Sequence, residues 1–191
     1  MKEANKQSQS RIKVPYTRIE PLGDRLKKAA KEHGYSGWLG KFRFAFNMAA
    51  RFYFIVIAFL MPYSGPRIVL HRLRGVKIGK NVMIGFNVTI DNIYPELVSI
   101  GDGSSLAGNN LILAHSKPLE YHKGLFDSYV APVVIGRNVW VTVGVIILAG
   151  VTIGDGSIIT AGSVVTKNIP PHSLAAGNPA KVIKRLDVGE A

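Results

Sequence analysis

The chain has 191 residues, 47% hydrophobic and 19% charged, which suits one domain with a sizeable core. It contains no cysteine, which excludes a disulfide scaffold, a cysteine-ligated zinc site and a thiol nucleophile. Its twenty glycines and ten prolines are mixed with Val and Ile rather than with Ser and Gln. This composition indicates a fold rich in turns and strands and argues against a helical bundle or a disordered chain.

The net charge of +12 is concentrated at the amino-terminal end. Residues 1–75 hold 15 Lys and Arg against 4 Asp and Glu (+11), whereas residues 76–191 hold 9 against 8 (+1). A membrane surface, nucleic acid or an anionic substrate could balance this excess. We expect no nucleic acid partner, because no recognition motif accompanies the basic residues. Residues 1–20 also lack the apolar stretch of a secretory signal.

Two helices are predicted in the amino-terminal segment. Residues 22–33 have helical spacing and end at Gly34, and residues 38–61 form a second helical stretch that ends at Pro62. The second half of the latter is apolar on all sides. Polar residues interrupt the first half, so the stretch falls short of the roughly twenty apolar residues of a membrane span.

The environment of the helix predicted at 38–61 is left open by the sequence. It can pack within the protein or against a neighbouring subunit. It can also lie at a membrane interface, with Lys41, Arg43 and Arg51 facing anionic headgroups. A true span is the third alternative. The corresponding locations are the cytoplasm and the inner face of the cell membrane.

From Ile78 onward an aliphatic residue recurs every six positions. The twelve repeats begin at Ile78, Ile84, Ile90, Ile100, Leu106, Ile112, Ile135, Val141, Ile147, Ile153, Ile159 and Val165. The fourth residue of ten repeats is Gly or Asn, which readily adopt positive φ at a corner; the exceptions are Ile93 and His115. Each repeat therefore predicts a short strand and a bend. Three repeats close a triangular coil, so the pattern predicts an all-β solenoid of about four coils.

Two interruptions and the carboxy-terminal end complete the organisation. Four extra residues lie between Ile90 and Ile100, and residues 116–134 form a longer insertion that must project outward as a loop. From Pro179 to Leu186 we predict a short basic helix that covers the last coil. The predicted units are a basic, partly helical segment, a β-helix and a carboxy-terminal loop with a short helix: 1–75, 76–170 and 171–191.

Two segments of the chain resemble the hexapeptide-repeat acyltransferases, especially the maltose, galactoside and exopolysaccharide O-acetyltransferases: Val139-Trp140 through Pro170-Pro171, and Ala175-Ala176-Gly177-Asn178-Pro179-Ala180-Lys181-Val182-Ile183. The resemblance covers residues 75–186. It implies left-handed coils, an exception to the usual right-handed crossover. It also implies a homotrimer, acetyl-CoA as donor, and active sites in the clefts between subunits.

His115 is the candidate catalytic residue. From spacing alone it is either a functional residue at the base of the insertion or a corner residue that tolerates positive φ. The run Leu113-Ala114-His115-Ser116 resembles the family segment that holds a catalytic histidine. A neutral imidazole, which ordinarily titrates near pH 6.5, can accept the proton of an acceptor hydroxyl as that hydroxyl attacks a thioester.

The acceptor residues are less clearly marked. Phe86-Asn87-Val88-Thr89-Ile90 resembles the family segment whose Asn contacts the acceptor, but Asn87 also occupies an ordinary corner position. Asp91 would orient either an acceptor hydroxyl or the histidine. The insertion 116–134 would help to select the acceptor across the cleft of a trimer. Residues 1–75 do not resemble the family's amino-terminal domain, so the identity of the acceptor stays open.

The resemblance implies a binding site for acetyl-CoA at Val143, Ala161, Thr166, Lys167, Lys181 and Lys184. The two last lysines replace basic residues that contact the phosphates of CoA. A solvated basic helix end is the alternative for them. The family usually has Trp-Ile-Gly where this chain has Trp140-Val141-Thr142, so Val143 would line the pantetheine path only through its backbone and methyl groups.

The predicted function is acetyl-CoA-dependent O-acetylation of a sugar or an envelope polysaccharide. N-acetylation of an amino sugar, either free or nucleotide-linked, is the enzymatic alternative. A zinc hydratase of the γ-carbonic anhydrase type needs three histidine ligands. His115 and His122 are seven residues apart, His122 lies in the insertion, and no histidine on a face of the solenoid completes the set, so we expect no metal. A non-catalytic trimeric scaffold is the remaining alternative.

Overall fold

The structure is a computed structural model that describes residues 11–16, 27, 30–31 and 34–186. Most of the helix predicted at 22–33 therefore lies outside the described residues. The described helices are α1 (Gly37–Leu60) and α2 (Ser64–Leu73). Two short 3₁₀ turns follow, at Pro95–Leu97 and Glu120–His122. The described strands are β1 (Ile12–Lys13), β2 (Lys77–Ile78), β3 (Met83–Ile84), β4 (Thr89–Ile90), β5 (Val98–Ile100), β6 (Ser105–Leu106), β7 (Leu111–Ile112), β8 (His115–Ser116), β9 (Tyr129–Val130), β10 (Val133–Ile135), β11 (Trp140–Val141), β12 (Ile146–Ile147), β13 (Thr152–Ile153), β14 (Ile158–Ile159), β15 (Val164–Val165), β16 (Ser173–Ala176) and β17 (Lys181–Arg185).

Three sheets form the walls of a prism. Sheet S1 has the order β13-β10-β5-β2, sheet S2 the order β17-β16-β14-β11-β6-β3, and sheet S3 the order β15-β12-β7-β4. All neighbouring strands in them are parallel except β16 and β17. The chain passes from S1 to S2 to S3 and back to S1, so each wall is built from strands that lie about eighteen residues apart where no insertion intervenes.

The interior and the corners follow the six-residue pattern. Eleven of the twelve repeat starts are at most 2% exposed, and the first, Ile78, is half-buried. Nine of the ten predicted Gly and Asn corners have positive φ: Asn81, Asn87, Gly103, Asn109, Asn138, Gly144, Gly150, Gly156 and Gly162. The prediction of one inward aliphatic residue and one corner per repeat is confirmed at these positions, because only Gly and Asn enter the left-handed region at little cost.

Helix α2, which the sequence analysis missed, covers the first turn of the prism. The Ser64 hydroxyl accepts a hydrogen bond from the Ile84 N–H (2.8 Å), and Arg67 Nε donates to the Ile84 carbonyl (3.1 Å). Arg74 is 1% exposed and donates to the carbonyls of Ile90 (3.0 Å) and Asp91 (2.7 Å). These groups satisfy backbone atoms that have no further strand to pair with, as a capping element of a solenoid must.

His71 of α2 is a buried neutral base, and this predicts an acid-sensitive fold. Burial, with the positive charges of Arg74 and Arg67, lowers the pKa of His71 to about 4. Arg74 Nη1 lies 2.9 Å from His71 Nδ1, a contact in which the neutral ring accepts. Because the unfolded chain binds this proton near pH 6.5, stability falls as the pH drops from 6.5 to 4, by about 3 kcal/mol. We expect His71→Gln to remove most of this loss.

The measurement is denaturant unfolding of wild type and His71→Gln at pH 7 and pH 4. The matched control is His172→Asn, an exposed histidine at a positive φ that Asn tolerates. An equal pH dependence in wild type and His71→Gln would contradict the assignment of a buried neutral His71.

Helix α1 packs on the rest of the protein over a small part of its surface. Phe44 and Ala58 are buried, and the rings of Phe59 and Phe86 lie 5.2 Å apart. By length and composition alone, α1 could cross a membrane, a test that core helices and signal sequences also pass. The expectation that residues 38–61 fall short of a membrane span is therefore wrong by the criterion of length and composition.

The carboxy-terminal helix predicted from Pro179 to Leu186 is wrong. Residues Lys181–Arg185 form strand β17, which pairs antiparallel with β16. The physical reason is that β16 is the last parallel strand of S2 and offers unpaired backbone groups. The chain reverses at Gly177, which has φ 103°. The β-branched pair Val182-Ile183 suits this added strand better than a helix.

The insertion after β7 projects from the prism and carries structure of its own. Its strand β9 pairs antiparallel with β8 on one side and with β1 on the other. Arg11 lies over the Tyr129 ring, 4.3 Å from its centroid, and the Tyr16 hydroxyl donates to the Phe126 carbonyl (3.0 Å). Strand β1 and its neighbouring residues thus pack against the outer part of the predicted loop 116–134 and stabilise it.

Candidate active site

Asp91 and His115 meet where sheet S3 turns towards S1, an edge that we call the S3–S1 edge. Asp91 follows β4, and His115 begins β8 shortly after β7, the neighbouring strand of S3. His115 Nδ1 lies 2.6 Å from Asp91 Oδ2. Since an ionised carboxylate can only accept, Nδ1 carries the proton and Nε2 is left as the basic nitrogen of the neutral ring.

The Asp91 carboxylate is buried and held on both oxygens. Oδ1 accepts from the N–H groups of Ile93 (2.8 Å) and Tyr94 (2.9 Å), and Oδ2 also accepts from the Ala114 N–H (2.7 Å). Burial by itself would raise the pKa of Asp91. The hydrogen bonds from His115, Tyr94 and Ala114 outweigh it and hold that pKa below its usual range. Asp91 is therefore a fixed anion that orients the imidazole.

The imidazole itself is partly open to solvent. The side chain of His115 is 19% exposed, whereas that of Asp91 is fully buried. The Tyr94 ring stands edge-on to it at a centroid distance of 5.8 Å, and Lys117 Nζ lies 5.4 Å from the Tyr94 centroid. His115 lies in strand β8, and its φ is not positive. The alternative of a histidine filling a left-handed corner is thus wrong.

Asn87 lies on a different edge, where S2 turns towards S3, which we call the S2–S3 edge. It sits between β3 and β4 with φ 55°, and its amide Nδ2 donates to Asn109 Oδ1 of the next turn (2.8 Å). Sheet S3 separates this corner from the edge that carries His115. Within one chain, the structure therefore does not bring Asn87 and His115 into one site.

The predicted donor residues are divided between the same two edges. Val143 and Ala161 occupy successive turns of the S2–S3 edge, joined by a hydrogen bond from the Gly162 N–H to the Val143 carbonyl (3.0 Å), and both are exposed. Thr166 and Lys167 follow β15 and lie on the S3–S1 edge, two turns beyond His115.

Lys181 and Lys184 lie on β17, opposite Ala176 and Leu174 of β16. Ser173 and Ala175 are buried, so Leu174 and Ala176 point outward. Directly opposed residues of an antiparallel pair share a face, so both lysines lie on the outer face of S2. Both are exposed, and strand β17 replaces the helix end that was the alternative setting for them.

Among the residues that the structure describes, no group of three His, Asp or Glu side chains is placed to hold a metal ion.

Two residues that support the site were not predicted from the sequence. Tyr94 lies against His115, and Arg74 holds the backbone carbonyl of Asp91. The four-residue interruption after Ile90 was the available signal for Tyr94, whereas nothing in the local sequence indicates the buried position of Arg74.

Comparisons with known proteins agree with this architecture. Residues 132–167 match the family model of the bacterial transferase hexapeptide (six repeats), and residues 75–114 match that of the hexapeptide repeat of succinyl-transferase. A solved maltose O-acetyltransferase from Clostridium difficile 630 is similar over 74% of this chain and 89% of its own, at 30% identity and a TM-score of 0.56. A solved galactoside acetyltransferase in complex with coenzyme A is 28% identical over 73% of this chain and 82% of its own, with a TM-score of 0.51.

The chain belongs to the hexapeptide-repeat transferases, whose fold is the left-handed β-helix, and the predicted family and fold class are confirmed. Among curated relatives, the galactoside O-acetyltransferase of Escherichia coli (strain K12) is 42% identical over 113 residues. That match covers 59% of this chain and 55% of the relative, so the chain spans about half the length of this curated relative.

Proposed function

We propose that the protein is an acetyl-CoA-dependent O-acetyltransferase that acts on a sugar or a saccharide of the cell envelope. The observation that carries the proposal is the pair formed by His115 and the buried Asp91 carboxylate, 2.6 Å apart at a partly exposed edge. The names of the similar proteins, galactoside and maltose O-acetyltransferases, support the reaction and a saccharide acceptor. They also favour a hydroxyl acceptor over the amino group of the N-acetylation alternative.

In this reaction His115 acts as general base. Its Nε2 takes the proton of the acceptor hydroxyl while the oxygen forms a bond to the acetyl carbonyl carbon. The C–S bond of the thioester then breaks, and the imidazolium returns the proton to the departing thiolate. Asp91 keeps the ring in the tautomer that leaves Nε2 free and stabilises the imidazolium by its charge. Of the two roles considered for Asp91, orienting the histidine suits its buried position.

The donor is acetyl-CoA, and the chain has groups that fit it. Val143 and Ala161 line the exposed S2–S3 edge, and the ammonium groups of Lys181 and Lys184 on the outer face of S2 suit phosphates. Thr166 and Lys167 lie on the other edge and would reach a donor held against a neighbouring chain. Because acetyl-CoA is a cytoplasmic metabolite, we place the reaction on the cytoplasmic side.

The division of the site between two edges supports a homotrimer. His115 and Lys167 lie on the S3–S1 edge, whereas Asn87, Val143 and Ala161 lie on the S2–S3 edge. In a three-fold assembly, the first edge of one chain can face the second edge of the next, which completes the site. The chain divides into the units 1–75, 76–170 and 171–191, and the last unit contains strand β17 in place of the predicted helix. S1 and S3 each contain four parallel strands and S2 contains five, which supports about four coils.

The test of the proposed function is release of CoA from acetyl-CoA by the purified full chain. The acceptors are monosaccharides, amino sugars, nucleotide sugars and envelope glycans, and mass spectrometry locates the acetyl group. We expect O-acetylated saccharide products. Products acetylated exclusively on nitrogen would favour the alternative acceptor, and CoA binding without turnover on any acceptor would favour the scaffold.

The lysines of β17 give a separate prediction on donor binding. The double variant Lys181→Ala/Lys184→Ala loses two positive charges from one face, and we expect it to bind CoA about tenfold more weakly or worse. Calorimetric titration with CoA measures the change. Lys77→Ala, an exposed lysine of S1, is the matched control and should bind like wild type. Equal affinity of the double variant and wild type would show that these lysines do not contact the donor.

A further inference from the structure

Helix α1 carries an exposed apolar face. Its large apolar side chains that are 40 to 77% exposed are Trp38, Leu39, Phe42, Phe46, Phe52, Tyr53, Val56, Phe59 and Leu60. Six of the nine are aromatic. At 100° per residue these nine positions fall within an arc of about 160°, and along the axis they extend for about 33 Å. They therefore form one continuous stripe, which we call the α1 face.

Helix α1 is amphipathic, as is typical of a helix that lies in the plane of a membrane surface. Phe44 and Ala58, which are buried, lie on the opposite side of the helix, where α1 meets the rest of the protein. The exposed Lys41 and Arg43 lie at the two borders of the arc. A helix with an apolar stripe bordered by basic residues suits the boundary between lipid headgroups and acyl chains.

The charge around the α1 face has one sign. No Asp or Glu occurs between residues 33 and 90, whereas this interval holds eight Lys and Arg. Of these, Arg67 and Arg74 are buried by their bonds to backbone carbonyls, and the exposed ones beyond α1 include Arg72, Lys77 and Lys80. The surface therefore complements an anionic partner and opposes another surface like itself.

We propose that the α1 face is the surface by which the protein docks on an anionic phospholipid bilayer, with α1 in the plane of the membrane. The aromatic stripe enters the headgroup boundary, and Lys41 and Arg43 meet lipid phosphates. A two-fold contact between the α1 faces of two copies is disfavoured, because it would bring the basic borders of both copies together. A span is disfavoured, because it would draw the charged Lys41 and Arg43 towards the acyl core and detach the buried Phe44 from the protein.

The test uses the full chain with Trp140→Phe, which leaves Trp38 on the α1 face as its one tryptophan. Flotation is compared for vesicles of phosphatidylcholine alone and vesicles that contain phosphatidylglycerol. We expect the protein to float with the anionic vesicles, less at high salt. Trp38 emission should shift to the blue and be quenched by brominated acyl chains. Failure to float with anionic vesicles overturns the proposal.

Two variants make the test specific to the helix face. Phe42→Glu/Phe46→Glu places two charges in the stripe and should lower vesicle partitioning at least tenfold. Leu125→Glu/Phe126→Glu changes two equally exposed residues of the insertion and should float like wild type. Wild-type flotation by the first variant, or Trp38 already shielded from an aqueous quencher without vesicles, overturns the proposal. Melting temperatures check folding, and because CoA release is not measured, the result is independent of the proposed acetyl transfer.

Discussion

Replacing His115 by Ala is expected to lower kcat for CoA release by 10²- to 10⁴-fold, while the affinity for CoA stays within about twofold of wild type. The substitution removes the nitrogen that takes the acceptor proton, and an alcohol attacks a thioester poorly without such a base. It removes no group that we assign to the donor. The loss should therefore appear in kcat, as measured by steady-state CoA release together with a direct CoA titration.

The matched control for His115→Ala is His172→Asn. His172 is an exposed histidine with φ 51°, and Asn tolerates that conformation. We expect this variant to retain wild-type kcat, which separates loss of the base from loss of any histidine. Because Asp91 keeps its three backbone donors in His115→Ala, the variant should fold, and its thermal unfolding transition can verify this. Wild-type turnover by His115→Ala would refute the general-base mechanism.

The sequence predicts the prism well because the residues that specify each strand and corner are close together in the chain and recur every six positions. One aliphatic residue and one corner residue per six positions specify both burial and positive φ, as Ile84 and Asn81 illustrate. The carboxy-terminal strand and the capping helix α2 were not predicted, because both depend on what the ends of the prism leave unpaired. A segment such as Lys181–Arg185 adopts the conformation that the last strand β16 imposes on it.

The candidate site is predicted less completely, for a similar reason. His115 stands out because it breaks the corner rule and a motif surrounds it. The role of Asp91 depends on its hydrogen bonds with residues up to 24 positions away, which spacing does not reveal. The assignment of Asn87 by resemblance does not say whether this residue completes the site of its own chain or that of a neighbouring chain. The answer depends on how the chains assemble.

Asp91→Asn tests whether the Asp91 carboxylate orients the imidazole of His115, and we expect kcat to fall by 10³- to 10⁴-fold. The amide has one acceptor oxygen in place of two. Whichever way it turns, its NH₂ group faces either the Tyr94 and Ile93 N–H groups or those of Ala114 and His115. If the NH₂ group meets the histidine, it favours a neutral ring with its proton on Nε2, which can no longer accept a proton from the hydroxyl.

The acid stability of Asp91→Asn gives a second readout, which tests whether the carboxylate is ionised in the folded protein. Because hydrogen bonds hold the pKa of Asp91 below its usual range, the carboxylate contributes stability that is present above about pH 4 and is lost as the pH falls through the lowered pKa. The variant should lack this part of the loss of stability in acid and also be less stable at pH 7, as measured by melting temperature against pH.

Asp155→Asn is the matched control for Asp91→Asn. The carboxylate of Asp155 also accepts a backbone N–H, from Arg137 (2.8 Å), but it lies on the edge between S1 and S2. The control variant should keep wild-type kcat. A variant at Asp91 with wild-type kcat and wild-type acid behaviour would show that the carboxylate neither orients the imidazole nor titrates with folding.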